Sequence, residues 1–223
     1  MFNKIINSFT RRLISNFNKI GILQLNYKIP NYDLNFKNFD CIVDVGFADG
    51  TDIFKNVIDI FFYVVEPNPN YNESVISFLK ERKGVHIKEA LSDKKSEAPF
   101  YLRDKASSLI KGNLKKNSEK IIIKTNTLDN VLDIENSIYN NLILKVDTEG
   151  NELNVLKGGK KTLKSQKLKM IILELRLQNI QTYNPSEMIS FLDKYGFQWH
   201  KILKIGHRKS GPSYLDVLFL RKK

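Results

Sequence analysis

The stretch DCIVDVGFADG, residues 40–50, leaves few folds open to this chain. Its apolar run Cys41-Ile42-Val43 ends in Asp44, and Gly46, Ala48 and Gly50 then take alternate positions. That is the pattern of a buried parallel strand turning sharply into a loop on which a ligand can lie. Glycine tolerates positive φ and lets backbone approach a ligand closely. Ala48 stands where the commonest nucleotide loop has its middle glycine, so the motif is a weakened glycine-rich turn. A second acid strengthens it. The next apolar run ends in Val64-Val65-Glu66-Pro67. Glu66 follows Asp44 at about the 20-residue spacing that brings an acid on a second strand to a ribose.

The rest of the chain extends this pattern. Apolar runs at 40–45, 59–65, 85–90 (VHIKEA), 141–147 (NLILKVD) and 169–175 (KMIILEL) read as strands, with Gly84 opening the third. Helices are expected near 51–57, near 70–82 with Val75, Ile76 and Leu79 on one face, and from Thr127-Leu128-Asp129. Two more are expected through EGNELNVLKGGKKTL, with Leu153, Leu156 and Leu163 as its apolar stripe, and over 186–195, stopped by Gly196. Short strands at 97–102 and 120–125 flank a polar excursion. The runs FQWHKILKI and SYLDVLFL, joined by GHRKSGP, read as an antiparallel hairpin. Strands alternating with helices make an α/β fold, a mostly parallel sheet with helices on both faces. Its ligands bind beyond the carboxyl ends of the strands.

Residues 2–20 place Phe2, Ile5, Ile6, Phe9, Leu13, Ile14, Phe17 and Ile20 at helical spacing among Lys4, Arg11, Arg12 and Lys19. Two readings stand: a helix packed on the domain, or a basic helix in weak contact with an anionic membrane surface. With the Asn- and aromatic-rich connector 26–39, this segment divides the chain into 1–39 and a main domain at 40–223. The chain has one cysteine, Cys41. It has neither a disulfide framework nor the apolar core of a secretory signal, and a cytoplasmic protein is expected. The net charge of +12 comes from 36 Lys plus Arg against 24 Asp plus Glu. Its lysines are spread through the chain, which favours a solvated basic surface over a nucleic-acid face.

The strand ends carry the chemistry. Asp44 and Glu66 offer acceptors for ribose hydroxyls. Ser92-Asp93 follows the third strand and could face a purine, although Ser-Asp-Lys-Lys is also ordinary turn chemistry. In KVDTEGNE, residues 145–152, acids at a helix N-terminus account for Glu149 and Glu152. They do not account for Asp147, which ends an apolar strand beside the expected ligand.

In order along the chain, VDVGFADG, VVEPNP, EALSDKK, ASSL, TNTLDNVL, LKVDTEGNELNVLKGG and IILEL resemble the FkbM-type methyltransferases over about residues 40–220. The most specific part is the Lys145–Glu152 run with Leu156-Lys157-Gly158-Gly159. The resemblance implies a Rossmann-like seven-stranded methyltransferase sheet with the C-terminal antiparallel hairpin, and S-adenosylmethionine as cofactor. It implies that Asp44, Gly46 and Gly50 line the methionine moiety, with Phe47 and Ala48 of the same turn also binding the cofactor. Glu66 would hold the ribose hydroxyls, Ser92 and Asp93 would lie by the adenine, and Asp147 would sit near the methyl group; Asn68 is a further cofactor-binding candidate. Phe47-Ala48-Asp49 departs from the family's Ala-Asn, and Asp49 adds a negative charge at the cofactor's zwitterionic end.

Members usually methylate hydroxyl oxygens of sugars or secondary metabolites. A hydroxyl is a poor nucleophile, so a general base helps by roughly 10²–10⁴-fold, and Asp147 is the candidate. Ser107 and Ser108 could face the acceptor, whereas His200 reads as a half-buried strand residue. A divalent ion on Asp147 and Glu174 is an alternative way to activate the hydroxyl. Three other readings remain: a nucleic-acid methyltransferase, against which Asp-Thr-Glu-Gly stands where base methylases have Asn/Asp-Pro-Pro-aromatic; a non-catalytic module that keeps the pocket; and a dehydrogenase, which lacks its third glycine here.

Overall fold

The computed structural model describes residues 27–28, 34–111, 119–178, 182–208 and 211–222. The amphipathic segment 2–20 lies outside them. In chain order the strands are β1 (Tyr27–Lys28), β2 (Cys41–Val45), β3 (Phe61–Val65), β4 (Gly84–Ile87), β5 (Ala90–Leu91), β6 (Ser96–Tyr101), β7 (Lys120–Asn126), β8 (Leu142–Val146), β9 (Leu168–Arg176), β10 (Phe197–Arg208) and β11 (Gly211–Arg221). The helices are α1 (Asn72–Leu79), α2 (Leu128–Leu132), α3 (Glu152–Lys157), α4 (Lys160–Lys164) and α5 (Pro185–Lys194).

The main sheet runs β1-β10-β11-β9-β8-β2-β3-β4. Strands β4, β3, β2, β8 and β9 are parallel, whereas β11, β10 and β1 join antiparallel. These are the seven expected strands with a two-residue edge added by the connector. The centre is β2 and β8, every residue of which is buried. Strands that are apolar but for one charged residue each, CIVDV with Asp44 and LILKV with Lys145, suit a sheet covered on both faces. Asp40 ties the two strands together at their start, its carboxylate accepting the N–H groups of Asn140 and Asn141 at 2.8 and 2.9 Å.

On one face α2, α3, α4 and α5 bury Leu128, Leu153, Leu156, Leu163, Met188 and Leu192 against the sheet. On the other, Phe47, Phe54 and Val75 pack on Ile42, Phe62 and Ile143. The helix expected near 51–57 is only a 3-10 turn, Asp52–Phe54. In α1 Val75 is buried while Ile76 is 56% exposed. The inward stripe is Val75 with Phe78 and Leu79, because residues three and four apart share a face and Ile76 is turned out of it.

The long helix expected after β8 is divided at Gly158-Gly159. A Cβ on Gly158 would lie 2.1 Å from the Ser92 carbonyl oxygen, and one on Gly159 2.6 Å from Leu128 Cδ2. The second segment, α4, is capped from α2: Asp129 accepts the N–H groups of Lys161 and Thr162 at 2.9 and 2.8 Å. Helix α5 follows its sequence signals, with Asn184 accepting the Glu187 N–H at 2.7 Å, Pro185 in the first turn and Gly196 at φ +80 after its end.

The expected third strand divides as well. β4 stops at Ile87, and Ala90–Leu91 pairs instead with β7 in a separate sheet of order β5-β7-β6. No helix among the described residues is long and apolar enough to cross a membrane.

Candidate active site

At the carboxyl ends of β2, β3, β8 and β9 the chain leaves a cleft of about 1470 Å³. Its lining includes Gly46, Phe47, Ala48, Gly50, Glu66, Ser107, Ser108 and Asp147. The turn after β2 is left-handed at three places, Gly46 (φ +84), Ala48 (φ +49) and Gly50 (φ +132). Only glycine fits the first. A Cβ on Gly46 would sit 1.7 Å from the Asp147 carbonyl oxygen. The turn after β2 and the loop after β8 are thus in direct backbone contact.

Glu66 holds the turn. Its Oε2 accepts the Ala48 N–H at 2.7 Å and its Oε1 the Asn68 N–H at 2.7 Å. Burial raises the Glu66 pKa above the usual carboxylate range, and these two N–H groups work against that rise. An ionised carboxylate has about four acceptor positions, so two remain free toward the cleft.

Asp44 is placed differently from expectation. It is fully buried and outside the lining. Lys145 Nζ lies 3.3 Å from its carboxylate, 3.5 Å from Asp147 Oδ2, and donates to the Gly46 carbonyl at 2.9 Å. Asp44 therefore bears on the turn through Lys145. Burial raises the Asp44 pKa, opposed by Lys145. For Lys145 burial acts downward, but Asp44 and then Asp147 more than offset it, and the ammonium is held more tightly than usual.

Asn68 is also buried outside the lining. It accepts the Asn70 N–H at 3.0 Å and donates to Ser107 Oγ at 3.2 Å. Ser92 and Asp93 lie outside the lining too, although Ala90 and Leu91 just before them are part of it. His200 is exposed on β10 and away from the cleft, not half-buried.

Glu152 organises the loop that carries Asp147. It is fully buried, and its Oε1 accepts the N–H groups of Thr148 and Gly150 at 3.0 and 2.8 Å. Tyr183 Oη donates to its Oε2 at 2.9 Å. The loop so shaped puts Glu149 at φ +56 and leaves Asp147 one-third exposed at the cleft. Carboxylate oxygens of Asp147, Glu149 and Glu174 come within 4.8 Å of one another, close enough to share a cation. Lys145 and Arg176 already offset them: Arg176 pairs with Glu149 and lies 3.6 Å from Glu174. Burial, then Asp147 and Glu149, push the Glu174 pKa well above the usual range.

A family profile described as Methyltransferase FkbM domain matches residues 44–199. The chain belongs to the FkbM methyltransferase family. Within this FkbM domain the matched span opens at Asp44 and includes the whole turn, Glu66 and Asp147. Among solved structures, the methyltransferase FkbM from Methylobacillus flagellatus KT is similar at TM-score 0.55 and 13% identity, over 84% of this chain and 44% of that one. The chain thus spans less than half the length of that protein. The magnesium protoporphyrin IX methyltransferase of Synechocystis PCC 6803, solved with bound SAM, aligns at TM-score 0.47 and 9% identity over 85% and 73% of the two chains. A comparison with curated proteins gives no match.

Three cleft residues beyond the matched span, Lys204, Tyr214 and Asp216, lie where reading strand ends alone does not reach, whereas Glu174 is among the residues expected from the sequence. Glu174 on β9 is opposite Asp216 on β11, and Asp216 is opposite Lys204 on β10. These three form a charged row across β9, β11 and β10, whereas the Asp44–Lys145 pair of β2 and β8 lies two residues lower, Lys145 standing opposite Ile172. Directly opposed residues of antiparallel strands share a face, so the register would have revealed the row once the hairpin was placed. Burial and then Asp147 push the Asp216 pKa up to about 6, partly offset by Lys204. Tyr214, which lines the cleft beside them, stands opposite Gly206, where a Cβ would come within 2.0 Å of the ring.

Proposed function

We propose that this cleft binds S-adenosylmethionine and that the chain transfers the methyl group to a hydroxyl oxygen of a saccharide or small hydroxylated metabolite. The observation that carries this reading is the contact between Gly46 and Asp147, which joins a nucleotide-type turn to a carboxylate in one cleft. The bound donor supplies a methyl carbon on a sulfonium that leaves as a neutral thioether. Glu66 accepts from the ribose hydroxyls with the positions its two backbone partners leave free. Asp147 accepts the proton of the attacking hydroxyl. Lys145, 3.5 Å from Asp147 and anchored on Gly46, keeps that carboxylate turned toward the turn. Holding nucleophile and methyl carbon in line supplies much of the acceleration.

Incubation with radiolabelled methyl donor and a panel of glycans, nucleotide sugars and polyhydroxylated metabolites tests the reading. Label transfer that falls by about 10²–10⁴-fold in Asp147→Asn, with donor affinity retained, supports it. Undiminished turnover in that variant removes Asp147 as the base.

A further inference from the structure

We propose that Asp49 and Lys105 together hold the zwitterionic amino-acid end of the methyl donor, Asp49 taking its ammonium and Lys105 its carboxylate. This rests on the reading of the cleft as a donor site and adds a third anchor to it, after Glu66 and the loop of Asp147.

Asp49 sits in the turn between Ala48 and Gly50, and Lys105 in the segment joining β6 to β7. Both line the cleft, and their side chains form an ion pair while staying 44% and 64% exposed. The pair therefore remains open to a ligand. Exposed ion pairs add little to folding, so a structural need does not explain two opposite charges set together at this rim.

Neither side of the pair depends on the other for its position. The turn is held by Glu66 on the Ala48 N–H and by Gly50 N–H donating to the Phe47 carbonyl at 2.9 Å. The segment carrying Lys105 is fastened on both sides of it. Tyr71 Oη donates to Asp104 Oδ1 at 2.7 Å, Asn68 Nδ2 to Ser107 Oγ at 3.2 Å, and Ser108 Oγ to the Thr148 carbonyl at 2.9 Å. The two segments that carry the opposite charges are thus held by contacts that do not include the pairing itself.

A free amino acid end carries one ammonium and one carboxylate. Inserted here, it replaces one ion pair by two charge-assisted contacts and leaves no charge unmatched. The same arrangement accounts for Asp49: a lone acid there would repel the donor's carboxylate, and Lys105 supplies the group that meets it.

Calorimetry with S-adenosylhomocysteine and with 5′-methylthioadenosine, which keeps the nucleoside and thioether but has no amino-acid end, separates the outcomes. Lys105→Met and Asp49→Asn are each expected to weaken S-adenosylhomocysteine by about tenfold or more and to leave methylthioadenosine unchanged. Equal loss for both ligands would make the pair a latch for the segment and overturn the proposal, as would no loss for either. A wild-type protein that binds neither ligand would overturn the donor site itself.

Discussion

Glu66 Oε2 and the Ala48 N–H, 2.7 Å apart, join the end of β3 to a left-handed residue of the turn after β2. The same carboxylate accepts from Asn68 through its other oxygen. In Glu66→Gln one of the two N–H groups faces an amide NH₂ and loses its acceptor. A buried donor left without a partner costs about 1–3 kcal/mol. Denaturant unfolding should show a loss of that order, accompanied by weaker donor binding.

Gly46 and Gly50 separate conformational strain from collision. Both have positive φ, but a Cβ on Gly46 meets the Asp147 carbonyl at 1.7 Å, whereas one on Gly50 meets only Phe47 Cζ at 4.0 Å. Gly50→Ala should cost about 1–2 kcal/mol from backbone strain alone. Gly46→Ala adds a backbone collision, and its loss should exceed that of Gly50→Ala by at least ~1–3 kcal/mol. Equal midpoints in a urea titration would contradict the contact between the two loops.

Lys145 is the nearest cation to a carboxylate with no exposure, Asp44. Lys145→Met leaves that charge uncompensated and removes the donor to Gly46. Breaking a buried pair from one side costs about 3–5 kcal/mol. The double variant Asp44→Asn/Lys145→Met should recover a large part of it, which a double-mutant cycle measures.

Asp216 gives stability a pH dependence of definite sign. Its folded pKa, about 6, lies above that of an unfolded aspartate. The folded state therefore binds its proton more tightly. The resulting stabilisation is full below the unfolded pKa and is lost as pH rises through about 6. Asp216→Asn mimics the protonated group. It should be more stable than wild type at pH 7 by on the order of 2 kcal/mol, with the difference closing near pH 4. A constant difference across that range would contradict it.

The parallel half of the fold is legible because burial on both faces demands short, nearly continuous apolar runs, and FFYVV is one, as are CIVDV and LILKV but for Asp44 and Lys145. Glu66 and Asp147 are legible for the same reason, as acids ending apolar strands. Asp44 reads alike, yet β2 continues to Val45, so Asp44 lies inside the strand and its side chain is enclosed beside Lys145. The charged row through Glu174, Asp216 and Lys204 depends on pairing between strands remote in the chain, with register shifts in β10 on both sides of Ile202. Residues Asp49 and Lys105 meet only because the small sheet delivers its connecting segment to the cleft. The family pattern names the turn, but not what neutralises an acid that departs from it.

A crystal structure of the chain with S-adenosylhomocysteine tests the central claim most directly. The account requires the ribose hydroxyls within hydrogen-bonding distance of Glu66 and the sulfur in the cleft facing Asp147. A nucleoside bound elsewhere, or one seated here with Glu66 making no contact to it, would contradict the account.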